Sequence, residues 1–75
     1  MKYEICTLNE KEHTRVIWGT FYFSENKKEN ERFKSFLLYL QKNTTNGMFY
    51  IREVETEKWF LLSMYFDYII KKLSA

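Results

Sequence analysis

Cys6 and His13 are the one thiol and the one imidazole in the chain. A thiolate activated by an imidazole is the nucleophilic pair those two residue types can make. Here they would meet only across a short hairpin, and no neighbouring residue orients the imidazole or builds an oxyanion site. His13 lies beside Glu10 and Glu12 and reads as a solvated turn residue. A second constellation is Glu53, Glu55 and Glu57. Their alternation would line three carboxylates along one strand face, a donor set suited to a hard cation. Thr56, read as the start of a helix, breaks that line. Glu25-Asn26-Lys27 matches the Glu-x-Lys element of metal-dependent nucleases, but it falls at a helix start in a chain too short for such a core. Asp67 reads as the solvent margin of an apolar helix. Gly19 and Gly47 stand apart, so no glycine-rich phosphate loop is formed. We therefore expect no catalysis, no metal and no cofactor.

The chain as a whole narrows the choice further. Its 75 residues make one domain, 1–75, of a size that folds alone but marginally. One cysteine allows neither an internal disulfide nor a cysteine-rich metal site. Association is the stabilising device left open. Apolar residues at 45% and aromatics at 20% indicate a packed core rather than disorder. Twelve basic residues against ten acidic give a net charge of +2, too mild by itself to imply nucleic acid. Glu4 interrupts the place where a signal peptide would begin its apolar stretch, and Ser63 and Asp67 interrupt the longest apolar run, which is too short to span a bilayer. The expectation is a soluble, cytoplasmic protein with Cys6 reduced. One alanine, two glycines, no proline and abundant Lys, Asn, Ile, Phe and Tyr suit an AT-rich coding sequence, as in some bacteria and their phages or plasmids.

Local patterns supply the elements. Residues 2–8 alternate loosely and favour a strand, with Tyr3, Ile5 and Thr7 on one side and Cys6 and Leu8 on the other. Residues 14–23 are dense in β-branched and aromatic types and form the clearest strand. A polar turn of about five residues joins the two as a hairpin. Ser24, or alternatively Asn26 with Glu29 three residues on, caps a helix running to about Lys42. Phe33, Phe36, Leu37 and Leu40 give that helix one apolar face. Asn46-Gly47 suits a turn, and 48–54 reads as a third strand. No repeat or linker is evident. The pattern predicts an α+β fold, a small three-stranded, mainly antiparallel sheet with two helices, in the order β-β-α-β-α.

The last segment, 56–75, reads as one helix with more apolar surface than one core can use. From Trp59 to Leu73, eleven of fifteen residues are apolar or aromatic. At 100° per residue, Trp59, Leu62, Phe66, Ile69, Ile70 and Leu73 fall on one side, and Phe60, Leu61, Met64 and Tyr68 on the other. The first helix already has its own stripe for the sheet. The second stripe therefore predicts a protein interface, with the same helix of another copy in a homodimer or with a target protein. Such a chain would act as a non-catalytic inhibitor or adaptor, for example a phage or mobile-element product acting on a host protein. An alternative reading concerns Trp18, Tyr22, Tyr50 and Arg52. On one open sheet face they would resemble a platform for single-stranded nucleic acid, although basic and acidic residues are interleaved rather than gathered in a stripe.

Overall fold

The computed structural model describes residues 1–9, 11–43 and 48–75. The expected Asn46-Gly47 turn and Glu10 lie outside the described residues. The elements are β1 (Lys2–Asn9), β2 (Thr14–Tyr22), α1 (Lys27–Asn43), β3 (Tyr50–Glu53), β4 (Lys58–Leu61) and α2 (Leu62–Ser74). The class is α+β, and the sheet has four antiparallel strands where the sequence predicted three, in the order β2-β1-β3-β4. The extra strand is β4. Trp59, Phe60 and Leu61 are strong β formers, and they pair with β3 instead of opening the last helix. Thr56 is accordingly no helix cap: its hydroxyl donates to Glu53 Oε1 at 3.0 Å within the turn between β3 and β4.

Each half of the chain is a hairpin followed by a helix. The halves meet along β1 and β3, with Ile5 opposite Ile51. Each hairpin turn ends in a residue of left-handed conformation, His13 (φ 52°) and Glu57 (φ 58°), directly before its second strand. Asn26 rather than Ser24 caps α1, accepting from the amide of Lys28 at 2.9 Å. Asn30, buried in the first turns of α1, brackets Ser24 by accepting from its amide and donating to its carbonyl. That clamp fixes the angle at which α1 leaves β2.

Both helices lie on one face of the sheet. Tyr3, Ile5, Phe21 and Ile51 meet Phe33, Leu37 and Leu40 of α1 and Leu62, Phe66, Ile69 and Leu73 of α2. The α1 stripe is as predicted, with Phe36 partly buried at its edge. The buried Tyr3 hydroxyl is satisfied by Lys72 Nζ at 3.2 Å. Between Ile5 and Cys6 the β1–β2 register shifts: Gly19 faces Ile5, but Ile17 faces Cys6, so Trp18 is an extra residue in a β-bulge.

Gly19 is held at this place by close packing. A Cβ there would lie 2.6 Å from Phe21 Cε2 and 3.0 Å from Cζ. The Phe21 ring is not free to retreat. It stacks on Phe33 at 4.8 Å, touches Phe36 at 5.1 Å, and has the Arg32 guanidinium over it at 5.3 Å. Gly19→Ala should therefore lower stability by about 1–3 kcal/mol, the range for overpacking a filled core. Urea denaturation reads this directly, and an unchanged midpoint would show that the ring yields freely.

Candidate functional site

The residue types that suggested chemistry are not assembled. Cys6 is fully buried beneath the helix-free face of the sheet, with its thiol 3.8 Å from the Tyr50 carbonyl. Burial pushes the Cys6 thiol up, against the opposing pull of Arg15. His13 is exposed in the first hairpin turn and shares no hydrogen bond with Cys6. The three glutamates diverge. Glu53 accepts from Thr56 and Tyr65, Glu55 takes the Lys2 amide on both oxygens at 2.9 and 3.0 Å, and Glu57 lies 3.9 Å from Arg52. The Lys2 amide holds the exposed Glu55 carboxyl below its ordinary value. Among the described residues no group of three or more His, Cys, Asp or Glu side chains could hold a metal ion, and no helix is long and apolar enough to cross a membrane.

Of the expected interface residues, Phe60, Leu61 and Met64 line one hollow and Tyr68 reaches it only through Tyr65, while Leu61, opposite Tyr50, faces the helix-free side of the sheet. Phe60 and Leu61 belong to β4, while Met64 and Tyr68 belong to α2. Phe60 is opposite the buried Ile51 and stacks on Tyr65 with centroids 4.3 Å apart and a 16° interplanar angle. Tyr65 in turn meets Tyr68 at 4.9 Å and donates its hydroxyl to Glu53 at 2.9 Å. Burial and the neighbouring Glu53 carboxylate push the Tyr65 phenol far up, so it remains a donor. Met64 is 82% exposed and Tyr68 56% exposed, so α1 does not cover them. Trp59, Phe60, Leu61, Met64 and Tyr65 line an open, largely apolar hollow of about 390 Å³. Trp59, expected in the core stripe, is not on the helix. It faces the other side of the sheet opposite Arg52.

The residues proposed to stack nucleic-acid bases are split. Tyr50 and Arg52 share the helix-free face, and Tyr22 lies on that face through its pairing with Lys2. The bulge sends Trp18 to the helix side, where its indole nitrogen donates to Thr7 at 2.9 Å and its ring meets Phe49 edge-on at 5.9 Å. Trp59 stands with Tyr50 instead, ring to ring at 6.4 Å, flanked by the guanidiniums of Arg15 and Arg52, each 5.8 Å from its centroid. Both guanidiniums also converge on Glu4, Arg52 at 3.1 Å and Arg15 at 3.8 Å. Sequence reasoning missed this cluster because its members come from four strands. Its one local signal was an acid and two arginines placed within β-forming runs. The chain matches no known protein family, no curated protein and no solved structure.

Proposed function

We propose that the chain is a non-catalytic protein-binding module, an inhibitor or adaptor that docks another protein chain on the β4–α2 surface formed by Phe60, Leu61, Met64 and Tyr68. The observation that carries this reading is the near-complete exposure of Met64 beside an apolar hollow, with Tyr68 half exposed next to it. Leaving such side chains in water forgoes roughly 1.5–3 kcal/mol of burial each, and Met and aromatic residues are the types that concentrate in interface cores. Tyr65 gives the surface a firm floor, because its ring is stacked and its hydroxyl bonded. A rigid, preformed surface loses little side-chain entropy on docking.

Met64→Glu tests this. At so exposed a position the change should leave stability within about 0.5 kcal/mol, while a charge in the apolar patch should abolish docking. Solution mass and affinity capture from cell extract, each run on wild type and variant, read the two possible occupants, a second copy and a target. The reading requires the folded variant to lose a complex that wild type forms. A folded variant that keeps every wild-type complex overturns it, and a variant that unfolds would make Met64 a core residue.

A further inference from the structure

The sheet has two edges, β2 and β4. The β4 edge is four residues long, but β2 offers nine. Natural edges are blunted by charges, prolines or short length. From Thr14 to Tyr22 the only charged residue is Arg15, and its guanidinium turns inward toward Glu4 and Trp59. Val16, Ile17, Trp18 and Tyr22 are each about half exposed.

Among the described residues none pairs with the outer backbone of this edge. Met1 and Phe23 exchange both their backbone bonds, at 3.0 and 2.8 Å. Antiparallel alternation then turns Phe21 and Gly19 toward β1, and Tyr22 and Thr20 away from it. On the β1 side, the Lys2 carbonyl accepts from Val54, so the even residues of β1 serve β3 and the odd residues serve β2. Val16 and Thr14, opposite Thr7 and Asn9, therefore face β1. Arg15 and Ile17 face away. An unfilled row of donors and acceptors of this kind is matched by another strand.

The bulge decides which strand. Arg15, Ile17, Thr20 and Tyr22 lie on the helix-free face. Val16, Trp18, Gly19 and Phe21 lie on the helix face, as the bond from Trp18 to Thr7 and the approach of a Gly19 Cβ to Phe21 require. Read along the chain, these faces form a palindrome centred between Trp18 and Gly19. A regular strand alternates without interruption, so it would match β2 on one side of the bulge and mismatch it on the other. A second copy in antiparallel register matches throughout.

We propose that two copies of this chain pair β2 against β2, with Arg15 opposite Tyr22, Ile17 opposite Thr20, and Trp18 opposite Gly19, making one continuous sheet. In this register every outward-facing amide and carbonyl meets one that also faces outward. Arg15 meets a tyrosine rather than a second Arg15. Trp18 stands across from a residue with no side chain, which leaves room for both indoles. The β4–α2 surface stays free on each copy for a target, so the pairing and the proposed docking are independent.

The test combines solution mass with residue-resolved amide exchange on the wild-type chain, alongside Thr20→Pro and Met64→Glu. Proline at 20 removes an outward N–H and leaves the β1 ladder intact. The expected result is a species of twice the chain's 9.3 kDa mass. The amides of Arg15, Ile17, Thr20 and Tyr22 should slow at least about tenfold between dilute and concentrated samples. Thr20→Pro should be monomeric and Met64→Glu should remain dimeric. A wild-type monomer at millimolar concentration overturns the pairing. So does a dimer in which those four amides exchange freely, or one that Met64→Glu alone disrupts. The last outcome would leave the β4–α2 reading standing while this one falls. The exchange data decide even where Thr20→Pro fails to fold.

Discussion

Phe33→Ala should cost about 3–5 kcal/mol, the range for truncating a buried phenylalanine, and leave the chain largely unfolded at 37 °C. Phe33 is fully buried, lies 5.6 Å from Tyr3 of β1, and stacks on Phe21 of β2 with a 5° interplanar angle. It is the point at which α1 grips both strands of the first hairpin. A domain of this size has a stability near the low end of the usual ~5–15 kcal/mol, so the loss is comparable with the total. The site also collapses poorly on truncation, because Tyr3 is tied through its hydroxyl to Lys72 and Phe21 is wedged against Gly19. The cavity term should therefore persist. Thermal unfolding followed by circular dichroism reads the effect, with Met64→Ala on the exposed face of α2 as the matched surface truncation. If Phe33→Ala melts cooperatively within a few degrees of wild type, the core does not depend on α1 as the packing indicates.

The same residues show how far the sequence was legible. The α1 stripe of Phe33, Phe36, Leu37 and Leu40 could be read because its i, i+3, i+4, i+7 spacing over about two turns is helical and fits no strand alternation. β1 and β2 were legible from alternation and β-branched density. β4 was not, because Trp59-Phe60-Leu61 runs directly into the apolar residues of α2, and a continuous apolar run carries no period by which to tell strand from helix. Reading it as helix made Phe60, Leu61, Met64 and Tyr68 one stripe. The strand–helix corner instead sets Phe60 and Tyr68 against Tyr65, with Leu61 and Met64 at the rim of the hollow beside it. The bulge was missed for a different reason. An isolated glycine such as Gly19 in a β run is compatible with a bulge, but the side that Trp18 takes is set by its bond to Thr7 across the hairpin, which has no local signature. One inserted residue was enough to move Trp18 away from the face that holds Tyr22 and Tyr50.

Glu4→Ala carries the second large effect, and it arises entirely from long-range contacts. Glu4 is 9% exposed on the helix-free face, and its carboxylate accepts from Arg52, whose side chain is 14% exposed. Removing one partner of a buried pair costs about 3–5 kcal/mol, chiefly because the other charge stays desolvated and unpaired. The lower end is expected here. Arg15 is 38% exposed and can rehydrate, and Glu57, fully at the surface, stands 3.9 Å from Arg52 as a weak substitute. The pair should not be a large net source of stability, since an apolar pair of similar volume is often as good. Glu4→Leu combined with Arg52→Leu should therefore recover most of what Glu4→Ala loses, and a double-mutant cycle in urea measures the difference. A second readout follows from what the cluster adjoins. Glu4, Arg15 and Arg52 stand close enough to act on Cys6, whose thiol is buried and raised in pKa by that burial, and both guanidiniums flank Trp59. Releasing the arginines by Glu4→Ala should loosen these surroundings, and Cys6 should react with a thiol reagent faster than in wild type under conditions where both remain folded. A cost below about 1 kcal/mol would place the pair with solvent-exposed ion pairs. An unchanged Cys6 rate would show that Tyr50 and the strands alone keep the thiol dry.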